Sequence, residues 1–238
     1  MTPDPKAPWR SRFAALHPKA YLGIHGVGGI VLIALLLWAF GYIADEIPEK
    51  GVLVTLDTGI TSWLQTHGTE TGEAIFSYVS WLGAPVLTAV LVTALIVCAR
   101  RRDWTRASTI ALCGGGAALL NIALKALFHR GRPEYATEFI THTSWSFPSG
   151  HAMDSLAGYG IITFFLLEAR RLSRPRRTII IVATSLLVAI IGYSRVYLGV
   201  HYFSDVIAGF LAGGVWLFVC VEGYRFAVRR LPHASTAG

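Results

Sequence analysis

Three short segments of this 238-residue chain gather groups suited to holding and attacking a phosphate. The first runs Lys125-Ala-Leu-Phe-His-Arg-Gly-Arg132-Pro133, and the second is Pro148-Ser149-Gly150-His151. The third is Ser194-Arg195-Val-Tyr-Leu-Gly-Val-His201-Tyr-Phe-Ser-Asp205. A phosphate ester under attack spreads negative charge over three equatorial oxygens, so stabilising it needs convergent cationic donors. Lys125, Arg132 and Arg195 would supply three, two of them guanidiniums able to grip phosphate bidentately. His201 and Asp205 stand four apart and on a helix share a face. A carboxylate bonded to one ring nitrogen fixes the tautomer and leaves the other nitrogen free as a nucleophile. Pro148, Ser149 and Gly150 lead into His151 at the start of an apolar run, where the N–H groups of a helix N-terminus form a ready anion site. Ser149 also reads as a plain N-cap. Ser194 is equally open between packing and site, and Pro133 reads as a loop-shaping residue.

The elements that must carry these groups are membrane helices. The composition is 53% hydrophobic and only 15% charged, with a mean hydropathy of +0.52. Several apolar runs reach the length needed to cross a hydrocarbon layer about 30 Å thick. Most lack the polar face that a soluble helix keeps. The runs place six spans, near 21–43, 75–99, 107–128, 152–167, 178–193 and 204–226, the second interrupted around Gly83 and Pro85. The expected architecture is all-α: a single six-span bundle over 21–227, with tails at 1–20 and 228–238. Between the first two spans, Val52 to Gln65 reads as a short amphipathic helix on the outer surface, with Leu53, Leu56, Ile60 and Leu64 at helical spacing and Trp63 suited to the headgroup layer. The first apolar run is too long for a cleaved signal and reads as an uncleaved span.

The net charge of +7 is distributed as topology requires and implies no nucleic-acid partner. Sixteen of the 21 Lys and Arg residues fall in the tails, at Arg225 by the end of the last span, and in the 100–106 and 170–177 turns. The positive-inside rule then puts both termini in the cytoplasm and the three polar segments on the outer side. Lys125, Arg132 and Arg195 are left on the positive-poor side, where an ionisable residue is costly unless used. Arg130 reads more simply as a cation reaching headgroups. Cys98, Cys113 and Cys220 all sit inside apolar runs and read as small buried hydrophobes.

Taken together, KxxxxxxRP, PSGH and SRxxxxxHxxxD resemble the signature of the type 2 phosphatidic acid phosphatase superfamily. Every fixed position matches, in order, and the six-span layout is similar to that of the superfamily's bacterial lipid phosphatases. The resemblance implies a metal-independent, cofactor-free hydrolase of the bacterial inner membrane with an extracytoplasmic site. His201 would attack phosphorus to form phosphohistidine, Asp205 would orient it, and His151 would protonate the leaving oxygen. Lys125, Arg132, Ser149, Gly150 and Arg195 would bind the phosphate, with Pro133, Pro148 and Ser194 in support. Undecaprenyl diphosphate, phosphatidylglycerol phosphate and phosphatidate all fit such a site as the membrane lipid substrate. The alternatives are a lipid phosphotransferase, a two-histidine, one-carboxylate metal hydrolase, and a transporter, which would place its polar groups near the midplane within repeats. The sequence assigns no role to His129 or Asp154.

Overall fold

The computed structural model describes residues 18–49, 51–134, 144–169 and 172–230. Most of both tails, Lys50, Arg170 and Arg171 lie outside the described residues, and so do the charge assignments that rest on them. The helices are α1 (Pro18–Glu49), α2 (Val52–His67), α3 (Glu70–Leu82), α4 (Pro85–Arg100), α5 (Trp104–Phe128), α6 (Gly150–Ala169), α7 (Arg174–Tyr197) and α8 (Phe203–Arg230). No strand occurs among the described residues.

Local chemistry sets the helix ends. Thr69 caps α3 by accepting from the Gly72 N–H at 3.0 Å, and Asp103 caps α5 by accepting from the Arg106 N–H at 3.1 Å. α3 stops at Gly83, and Pro85 opens α4, where its missing N–H costs nothing. The expected interruption of the second apolar run is therefore a break between two helices. α5 ends on His129 at φ 47°, a left-handed residue that turns the chain back over the bundle end.

Among the described residues, five stretches are long and apolar enough to cross a membrane: Val27–Pro48, Glu70–Arg100, Trp104–Phe128, Arg174–Tyr197 and Phe203–Arg229. Large side chains such as Ile30, Trp38 and Leu119 stand exposed on their faces, as a lipid surround permits. The expected fourth span forms as α6 and falls outside these five. Its first turns carry His151, Asp154 and Ser155, which lower its apolarity, and it lies where protein packs around it. Ala152, Met153, Ala157 and Ile161 are wholly buried, and Phe165 nearly so. All but Ala152 form the core with Ile110, Cys113 and Ala117 of α5 and Ala212, Cys220 and Tyr224 of α8. Cys113 and Cys220 are buried as expected, and Cys98 is half-buried.

α2 differs from the expected apolar stripe. Its buried side is Asp57, Thr61 and Leu64, while Leu56 and Trp63 point outward. Leu64 and Ile60 pack with Ala152 of α6, Val196 of α7 and Val206 of α8. The helix is rotated so that a carboxylate faces the bundle, which is tolerable only if that carboxylate meets charge and donors.

Candidate functional site

The C-terminal ends of α5 and α7 and the N-terminal ends of α6 and α8 lie at one end of the bundle, and the three polar segments meet there. The chain leaving α5 folds down so that the Ser146 N–H donates to the Arg130 carbonyl at 2.8 Å, and the Ser149 N–H donates to the Asp205 carbonyl at 2.9 Å. Asn121 donates to the Pro148 carbonyl at 3.2 Å. A side chain at Gly150 would crowd the same amide, its Cβ falling 3.0 Å from the Asn121 oxygen. The Asn121 side chain and a backbone bond therefore hold the start of α6 against α5 and α8.

His201 sits in the turn between α7 and α8, 3% exposed. Its Nδ1 lies 3.3 Å from the Ser146 hydroxyl and 3.5 Å from Asp205 Oδ2. Ser146 gives its own proton to Asp205 Oδ2 at 2.5 Å, so its oxygen is free to accept from an Nδ1–H. That arrangement favours the tautomer with Nε2 unprotonated, and Nε2 faces Arg132 Nη1 at 3.4 Å. Burial pushes the His201 pKa down to about 3, against the hydrogen bond and charge of Asp205, which raise it, and the charges of Arg195 and Arg132, which lower it further. The ring is neutral at physiological pH. Asp205 is wholly buried and saturated: it also accepts from Arg130 Nη1 at 2.6 Å and from the Tyr202 N–H at 2.9 Å.

The three expected phosphate-binding cations border this histidine. Arg132 is anchored through Nη1 to the Val200 carbonyl at 2.8 Å and through Nε to the Ser144 carbonyl at 3.0 Å. Burial lowers its pKa, with Asp205 opposing, and the guanidinium stays charged. Arg195, 6% exposed, donates from Nη1 to Ser80 of α3, and Lys125 donates to the Trp145 carbonyl. His151 is within electrostatic reach of Arg195, His201, Arg132 and Lys125. It fits against the break after α3, where a Cβ on Gly83 would fall 3.0 Å from its Cδ2. The Ser149 hydroxyl and Arg195 Nε are buried with no hydrogen-bond partner among the described residues. Buried donors in native proteins are rarely left unpaired, so these two are the ones a bound oxyanion could satisfy.

Three sequence readings change. Ser149 makes no side-chain cap, since its hydroxyl has no partner. The Ser194 hydroxyl donates to the Ile191 carbonyl at 2.6 Å, a bond within its own helix. Arg130 does not reach outward: it is 8% exposed, pairs with Asp57 at 2.8 Å and Asp205 at 2.6 Å, and lies over the Tyr202 ring. Two carboxylates outweigh the burial cost and raise its pKa. Pro133 and Pro148 are buried, the latter after a cis bond to Phe147. Among the described residues, no three His, Cys, Asp or Glu side chains gather as a metal-holding group. Nothing in the sequence marks Ser146 or Asp57 as part of the site.

Fold and site together define a multi-pass helical membrane protein with a buried histidine among three cations at one end of the bundle. The chain belongs to the PAP2 superfamily, which residues 106–229 match. Phosphatidylglycerophosphatase B of Bacillus subtilis is 36% identical over 112 residues, covering 47% of this chain and 54% of that relative, so the match spans about half of its length. Decaprenylphosphoryl-5-phosphoribose phosphatase of Mycobacterium tuberculosis is 32% identical over 177 residues, covering 71% of this chain and 88% of the relative. The crystal structure of a transmembrane PAP2 type phosphatidylglycerolphosphate phosphatase from Bacillus subtilis superposes with a TM-score of 0.72 at 25% identity, over 84% of this chain and 98% of that one. Aquifex aeolicus LpxE shares the fold, with a TM-score of 0.53 at 22% identity, over 70% of this chain and 95% of that one.

Proposed function

We propose that this chain is an integral membrane phosphatase that hydrolyses a lipid phosphate monoester or lipid diphosphate through a phosphohistidine. The observation that carries the reading is the orientation of His201, with Nδ1 turned to Ser146 and Asp205 and Nε2 turned to Arg132. In the first half-reaction the Nε2 lone pair forms a bond to phosphorus and the bond from phosphorus to the lipid oxygen breaks. His151, protonated once the phosphate's negative charge is bound beside it, gives that oxygen its proton. In the second half, neutral His151 takes a proton from water as its oxygen attacks phosphorus, and the Nε2–P bond breaks to release inorganic phosphate. Arg132, Arg195, Lys125 and Ser149 hold the equatorial oxygens, and the N–H groups at the start of α6 add a fixed dipole. Asp205 stays charged and stabilises the ring as it gains positive character.

Such a site asks for no metal, because three cations already supply the charge and Asp205 is engaged with Arg130, Tyr202 and Ser146. We read α6 as the sixth crossing, buried among the others, with both termini cytoplasmic and the site at the outer face. The relatives act by name on phosphatidylglycerophosphate and on a decaprenylphosphoryl sugar phosphate, which supports a lipid with its phosphate at the bilayer edge. The test is phosphate release by the purified full-length protein from phosphatidate, phosphatidylglycerol phosphate and undecaprenyl diphosphate with EDTA present. Release from at least one, undiminished by EDTA and competitively inhibited by orthovanadate, is expected. Activity that vanishes in EDTA and returns with a divalent ion would overturn the mechanism.

A further inference from the structure

Asp57 belongs to none of the three motifs and lies outside residues 106–229, which match the superfamily. Yet it is 2% exposed and bonded into the site. Its Oδ2 accepts from Arg130 Nη2 at 2.8 Å and from the Ser204 hydroxyl, and its Oδ1 accepts from the Ser204 N–H at 2.9 Å. Arg130 donates through its other arm to Ser204 Oγ at 2.8 Å and to Asp205 Oδ1 at 2.6 Å. Asp205 is the carboxylate beside His201 Nδ1. A continuous chain of bonded groups thus runs from α2 to the histidine.

We infer that Asp57 is a positioning residue for His201, acting through Arg130, Ser204 and Asp205, so that the site is complete only with α2 docked. This rests on the phosphatase reading above. Three physical effects support it. Asp57 receives the Ser204 N–H, one of the free donors in the first turn of α8, and so fixes the turn that carries Asp205. It fixes the fork of Arg130, which leaves Asp205 Oδ2 turned to Ser146, the Tyr202 N–H and His201. It also shares the Arg130 charge. With Asp57 neutral, that charge falls on Asp205 alone and weakens its hold on the imidazole proton. Asp57, Arg130 and Ser204 make no hydrogen bond to Lys125, Arg132 or Arg195, so the loss belongs in turnover and not in phosphate binding.

The experiment uses the full chain in detergent with short-chain phosphatidate. Asp57→Asn should lower kcat by about 10–100-fold, the range for losing an outer partner of a reactive group, with KM little changed. On an Asp205→Asn background the same substitution should cost nothing further, because the two share one route. ¹⁵N-histidine NMR, with His201 assigned through His201→Gln, should show an Nδ1–H tautomer in the parent and a tautomer mixture in Asp57→Asn. Ser204→Ala keeps every charge and removes only hydroxyl bonds, so it should shift kcat and the spectrum in the same direction by less. An unchanged kcat and spectrum, with only a lower melting midpoint, would make Asp57 a structural residue and overturn the inference; so would additive losses. If the parent releases phosphate from no lipid while Asp57→Asn still disturbs the tautomer, the phosphatase reading falls and the positioning role stands.

Discussion

At His201 the structure imposes two demands on one side chain: burial strips the proton from the ring, and Asp205 with Ser146 decides which nitrogen is left bare. The consequence is testable through pH. The folded pKa, about 3, lies below the ordinary histidine value of 6.5. As pH falls from 6.5 toward 3, the unfolded chain binds a proton at this residue that the folded one refuses, so stability contributed here falls across that window. The apparent melting midpoint of the parent should therefore drop more steeply between pH 7.5 and 5 than that of His201→Gln; equal slopes would contradict the depressed pKa. Residue chemistry was legible where motif spacing constrained it, since Lys125, Arg132, His151, Arg195, His201 and Asp205 do meet. Arg130 was misread because charge counting assigns a side of the membrane and says nothing of depth. A clue was present, since it was among the few cations that topology left unexplained. Ser146 and Asp57 gave no signal: a serine in a loop and an acid within an amphipathic helix look ordinary until the fold closes around them.

Helices were the most legible level, because apolar runs, caps and the Gly83-Ala84-Pro85 break each have a local cause. The facing of α2 was not legible, since it depends on Arg130 and Ser204, which are 73 and 147 residues away along the chain. The closeness of α8 to α6 was not legible either. At Gly209 a Cβ would fall 2.6 Å from the Ser149 carbonyl and 2.9 Å from Ala152 Cβ. Small residues permit such approach between membrane helices, and here the contact holds the start of α6 beside Asp205 and His201. Gly209→Ala should cost about 1–3 kcal/mol of overpacking, lowering the melting midpoint and slowing phosphate release together. Gly223→Ala, with nothing within 4 Å of its added methyl, is the matched control and should change neither. If Gly209→Ala behaved like Gly223→Ala, the close approach would not be what sets the site.

The whole molecule joins a lipid-facing exterior to a polar end where its reactive groups meet. The N-terminal half contributes more than anchorage: Ser80 holds Arg195, Gly83 makes room for His151, and Asp57 ties α2 to Asp205 through Arg130. On the proposed sidedness that polar end faces outward, where a lipid phosphate would enter from the outer leaflet without leaving the bilayer. Sidedness and chemistry meet in one measurement. Sealed right-side-out vesicles carrying the full chain are given a ³²P-labelled, membrane-impermeant short-chain lipid phosphate and quenched within milliseconds. An acid-labile, base-stable phosphoprotein is expected from the parent and none from His201→Ala. A phosphoenzyme that persists in His201→Ala would mean that another group carries the phosphoryl, with His151 the first to test, and the roles given to the two histidines would have to be exchanged.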